Sequence, residues 1–282
     1  MRLKRVQILT LLITAAAVFS LLIFPFLLLD RPTITYFPEH PRIQYVTTAT
    51  HLAFVPENQL LRLQTASETK ERNELMQDFS LLYRNNQLVA ILNRWQKNVS
   101  ELSASKELDM SPGFYVGLTV HQAERHIDHS IYGKEQLSQD YLMAVKTNGT
   151  YHLYREPKTT DEANQLSQYT RELGESRNKT LRRAAARYGF QLSDYRVVPL
   201  DALTGESFTH IFPFGREKAE RITGQLWEGL YKNYVRGIQL AQAQSESPLG
   251  STMPLLLIAQ DHMLIVFETA NRQTVLLKQN FS

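Results

Sequence analysis

Apolar positions along this chain follow three patterns: one unbroken run, several stretches at helical spacing, and short segments that alternate. The run comes first, since no residue from Val6 to Leu29 carries a charge. At about 1.5 Å of rise per residue it is roughly 36 Å long as a helix, enough to cross a hydrocarbon core of about 30 Å with some tilt. Arg2, Lys4 and Arg5 precede it and the Asp30–Arg31 pair follows. The positive-inside bias then predicts a cytoplasmic amino terminus with the rest of the chain extracytoplasmic. The small residues Thr14 to Ala17 lie mid-run, with Leu21, Leu22, Ile23 and Phe24 after them. That is the order of a retained, single-pass signal-anchor rather than of a cleaved signal peptide.

Prolines at 32, 38 and 41 predict an extended stalk over 30–42, after which Ile43 to Thr48 and Leu52 to Val55 read as short strands. Leu75, Phe79 and Leu82, then Leu88, Ile91, Leu92, Trp95, Val99 and Leu102, recur at helical spacing on either side of Asn85 and Asn86. They predict two helices over 69–84 and 87–102, with Trp95 in the buried stripe. Gly113 to Ile127 alternates as a strand. Asn148–Gly149 marks a hairpin that pairs Thr147 with Thr150, Val145 with His152 and Met143 with Tyr154. Thr159 to Asp161 starts a helix that Gly189 stops, Tyr195 to Leu200 is a strand, and Arg216 to about Ala243 is a third major helix. Pro254 to Ala259, Met263 to Thr269 and Thr274 to Lys278 close the chain as a meander.

The elements together predict an α+β protein: a cytoplasmic tail (1–5), a transmembrane helix (6–29), the stalk (30–42) and an extracytoplasmic domain (43–282). In that domain antiparallel meanders pack with three or four helices, and a division near 157 would give halves 43–156 and 157–282.

Charge narrows the function. The chain has 31 basic and 28 acidic residues, and all of its net charge of +3 lies in Arg2, Lys4 and Arg5. A balanced outer domain lacks the positive field that nucleic acids require. With no cysteine there is no disulfide framework, which points to a bacterial envelope rather than a eukaryotic secretory route.

Two constellations could carry chemistry. In Glu124-Arg-His126-Ile-Asp128-His129, the residues Glu124, His126 and Asp128 project on one strand face, and His129 follows at its end. That donor set suits a divalent metal such as zinc, with an open position for a hydroxide nucleophile. The segment resembles the H-x-H-x-D-H signature of the metallo-β-lactamase superfamily, with Glu124 in place of the first histidine and without the glycines that should follow. Ser103-Ala-Ser-Lys106 is similar to the S-x-x-K element of the penicillin-interacting serine enzymes, with Ser103 as nucleophile and Lys106 as activator. Ser193-Asp194-Tyr195 and Leu203-Thr204-Gly205 stand only ten residues apart where that family needs distant strands.

No catalytic set is complete, so the sequence predicts a membrane-anchored binding or accessory protein that works without a cofactor. Its partner would be another envelope protein or an anionic envelope polymer, with the membrane engaged through Val6 to Leu29. The contact surfaces would be the Lys179, Arg183, Arg187 stripe and the aromatic loop with Phe208, Phe212 and Phe214. The alternative is an extracytoplasmic hydrolase using Glu124, His126, Asp128 and His129.

Overall fold

The structure is a computed structural model that describes residues 37–203, 211–212, 214–240 and 245–281. Strands dominate it. β1 (Tyr45–Val55), β2 (Leu60–Asn73) and β5 (Val99–Asp109) form one antiparallel sheet, with β2 in the middle. β3 (Leu75–Arg84), β4 (Gln87–Gln96), β6 (Gly113–Ile127), β7 (Ser130–Thr147) and β8 (Thr150–Tyr154) form a second, in the order β4-β3-β6-β7-β8. After α1 (Thr160–Tyr188) comes β9 (Arg196–Pro199), then α2 (Arg216–Leu230) and a π-helical turn at Tyr231–Val235. The short pair β10 (Ile238–Gln239) and β11 (Ser245–Glu246) follows. β12 (Leu255–Ile258), β13 (His262–Glu268) and β14 (Thr274–Asn280) complete a third sheet, in the order β14-β13-β12-β9.

Burial arranges these elements in layers. Leu52, Leu61, Leu63, Leu82, Tyr115 and Leu142 fill the space between the first two sheets. The other face of the second sheet presents Phe79, Leu81, Val116 and Leu118 to Ile222, Leu226 and Trp227 of α2, and Leu256, Ile265 and Phe267 of the third sheet complete that core. Leu181 and Ala184 of α1 cover the far face of the third sheet.

This architecture overturns the α+β expectation of meanders packed with three or four helices. Among the described residues the fold is mainly β, with two α-helices. The helices expected over 69–84 and 87–102 are strands. Every residue from Asp78 to Tyr83 is buried, because both faces of β3 are covered, and two-sided burial removes the alternation that marks a strand. In β4, Leu88 and Ile91 face the α2 side while Val89, Ala90 and Leu92 face the first sheet. The ladder shifts register between Leu82 and Tyr83, and that bulge produces the helix-like spacing. Asn85 and Asn86 are the centre of a hairpin turn, with φ of 49° and 67°. Trp95, expected inside, is 56 % exposed.

The single-pass transmembrane expectation is corrected as well: among the described residues no helix is long and apolar enough to cross a membrane. The segment on which it rested, residues 6–29, lies outside the described residues. The end of the expected stalk packs on β7, where Gly133 N–H donates to the Pro38 carbonyl at 3.1 Å and Lys134 meets Glu39 at 3.4 Å.

Elsewhere the local chemistry acts as the sequence implies. Thr159 and Glu162 form a reciprocal capping box at the start of α1, and Gly189 ends the helix with φ of 73°. The Asn148–Gly149 hairpin pairs Thr147 with Thr150, Val145 with His152 and Met143 with Tyr154.

Candidate functional site

The space between the first two sheets has a polar middle. Thr50 Oγ1 lies 2.6 Å from both Thr119 Oγ1 and Ser138 Oγ, and Ser80 Oγ lies 2.8 Å from Thr119 Oγ1. His121 Nε2 lies 2.7 Å from Ser138 Oγ, and its Nδ1 stands 3.0 Å from Asp78 Oδ1, off the line of a straight hydrogen bond. Asp78 accepts from Ser67 at 3.0 Å and from Thr65 at 3.1 Å. Asp78 and His121 are fully buried. A buried carboxylate requires such donors, since an unpaired one would cost several kcal/mol, on the order of 3 to 5.

Asp78, His121 and Ser138 have the connectivity of an orienter, a base and a nucleophile. Asp78 and His121 are closed off from solvent, and Ser138 Oγ is also engaged by Thr50. The chemical capacity of the arrangement is to hold the two sheets in one register.

Two seams bound this layer. At one, side chains join β1 to β7. Leu52 N–H donates to Asp140 Oδ2 at 2.8 Å, and Arg155 bridges Asp140 (2.7 and 2.9 Å) and the Leu52 carbonyl (2.7 Å). Burial alone would raise the Asp140 carboxyl, but hydrogen bonds from Arg155, Leu52 and Tyr141 hold it below the usual carboxylate range.

The other seam is open. β4 and β5 are consecutive and joined at Lys97–Asn98, where Asn98 has φ of 56°, yet β4 pairs with β3 and β5 with β2. Beside them lie two adjoining hollows of about 730 and 440 Å³ that share Ala66, Arg94 and Ser103 and are floored by Thr47, Ala49 and His51 of β1 and by Gln64 to Glu68 of β2. Thr65 lines one and Ser67 the other. Segment 250–253 covers only the start of β4, through Leu88 N–H to the Ser251 carbonyl (2.8 Å) and Gly250 N–H to the Leu88 carbonyl (2.7 Å). Farther along, Lys106 Nζ donates across the seam to the Ile91 carbonyl at 3.1 Å.

The residues singled out from the sequence are dispersed. Glu124 and His126 approach at 3.9 Å, whereas Asp128 and His129 form the exposed hairpin turn between β6 and β7, with φ of 49° and 68°. Among the described residues no group of three or more His, Asp or Glu is placed to hold a metal ion. Ser103 and Lys106 lie on a strand, where an odd spacing sends side chains to opposite faces. In the α1 stripe, Arg183 pairs with Glu268 at 3.0 Å, Arg187 lies over the Tyr188 ring at 5.5 Å, and Lys179 is exposed. Phe212 and Phe214 pack edge-on against Phe281 at 6.1 and 5.3 Å. Phe208 lies outside the described residues.

The open seam was missed because β4 and the start of β5 were read as one helix over 87–102. Its one local signal is Asn98, a residue that tolerates positive φ, between Trp95 and Val99. No family model matches the chain, and no curated protein or solved structure matches it. Fold and site define a layered β protein whose first two sheets are stitched at one edge and parted at the other.

Proposed function

We propose that this is an extracytoplasmic binding or accessory protein of a bacterial envelope. It associates with the membrane through its uncharged amino-terminal segment and receives a partner in the β4–β5 seam. The observation that carries this reading is the seam itself. Two consecutive strands that would gain a ladder by pairing instead flank a groove, and strand edges left unpaired are interaction templates. The balanced charge of the chain from Val6 onward favours a protein or a wall component over nucleic acid.

Photo-crosslinking in bacterial cells expressing the full chain tests this. A photoreactive residue placed at Arg94 or Ser103 should give a recurring adduct, identified by mass spectrometry, and one placed at exposed Arg171 on α1 should not. Equal adducts at all three positions, or none at the groove, would remove the groove from consideration.

A further inference from the structure

Given that the seam is the binding site, its chemistry names the class of occupant. From Val89 onward β4 has no strand on its outer side, and β5 has none along its length. An extended polypeptide presents complementary N–H and C=O groups at the same repeat, the basis of recognition by strand addition. The groove-lining residues are Leu92, Asn93, Arg94 and Gln96 on one lip and Glu101 to Ser105 on the other, with β1 and β2 as the floor. At about 3.4 Å per residue, each lip matches roughly five extended residues.

Charge adds a second requirement. Glu68 and Glu101 sit directly opposite one another across the β2–β5 ladder, and both line the hollow nearest the Lys97–Asn98 turn. Neither makes an ion pair with a described residue. Like charges in directly opposed positions repel, so this pair costs stability in the empty protein and gains a partner when a cation arrives. Arg94 lines the same hollow from the other lip and leaves the pair unneutralised by any ion pair.

We propose that the β4–β5 seam binds an extended segment of a partner polypeptide, which adds as a strand to the open edge of β5 and places a lysine or arginine side chain between Glu68 and Glu101. A glycan lacks the repeating main-chain donors that the lips match.

The test uses the full chain in detergent micelles. Its probes are an array of seven-residue peptides rich in threonine and valine, with lysine fixed at each position in turn. At least one lysine position should bind, and replacing that lysine by glutamate should weaken binding tenfold or more. N-methylation of alternate amides in the peptide should do the same. The Glu68→Gln/Glu101→Gln variant should lose the lysine preference and keep its fold, since Glu101 is exposed, Glu68 is half-buried, and each change preserves the side chain's shape. On binding, hydrogen exchange should slow in β5. An array without a binder, or a binder indifferent to N-methylation, overturns strand addition. If Ser103 in cells nevertheless crosslinks to a glycan, the groove stands as a binding site with another occupant. If Ser103 crosslinks to nothing, both readings fall together.

Discussion

At the scale of single residues, Asp78 best shows how the interior is specified. It accepts two hydroxyl hydrogen bonds and faces an imidazole nitrogen at 3.0 Å, all inside a fully buried layer. Asp78→Ala should cost about 3 to 5 kcal/mol, because it strands three polar groups that water cannot reach. Asp78→Asn keeps an acceptor for Ser67 and Thr65 and should cost about 1 to 2 kcal/mol. Urea unfolding of the full-length variants separates the cases; a loss below about 0.5 kcal/mol for the alanine variant would mean the layer does not need this carboxylate. The sequence did not reveal this layer. In β6, the alternation of Val116, Leu118 and Val120 was legible, which makes Gly117, Thr119, His121 and Ala123 look like a solvated face. A second sheet covers that face, and period-two alternation cannot distinguish solvent from a polar interior.

At the scale of elements, legibility followed turn and cap chemistry more closely than apolar spacing. α1 was readable because Thr159, Glu162 and Gly189 are local signals, and the Asn148–Gly149 hairpin because its turn demands positive φ. Asn85–Asn86 carries the same demand but stood between apolar residues whose spacing, altered by a bulge, imitates a helix. This turn is held from outside. Asn85 N–H donates to the Phe114 carbonyl and Phe114 N–H donates to Asn85 Oδ1, both at 2.9 Å. Gly113 makes that approach feasible, with φ of 146° and space in which an added Cβ would stand 2.7 Å from Asn85 Oδ1. Gly113→Ala should therefore destabilise the protein by about 1 to 3 kcal/mol, the cost of a strained backbone with a displaced side chain. Thermal unfolding reads this directly, and an unchanged midpoint would show that the turn tolerates another approach of β6.

At the scale of the whole molecule, the layers meet in an acidic junction with a consequence for pH. Glu135 of β7 lies with Glu124 of β6, Glu228 of α2 and Glu39 before β1; burial foremost, then repulsion from Glu228, Glu39 and Glu124, pushes its carboxyl up to about 7. The nearby lysines are engaged: Lys134 with Glu39 at 3.4 Å and Lys232 with Glu228 at 2.5 Å. Between the unfolded value of 4.5 and about 7, the folded chain holds a proton at Glu135 that the unfolded chain has released. Stability from this group is therefore greatest at the acid end of the window and falls as pH rises through it, levelling off above about 7. The full shift corresponds to about 3 kcal/mol, and partial contact of Glu135 with water reduces the expected effect to about 1 to 2 kcal/mol. Glu135→Gln fixes the neutral form at every pH. Its stability relative to the unmodified chain should be unchanged near pH 4 and higher by that amount at pH 8. Urea unfolding at the two pH values measures the difference. Parallel pH profiles for the two proteins would place any loss of stability with rising pH elsewhere and leave Glu135 ionised at neutral pH within the junction of β6, β7 and α2.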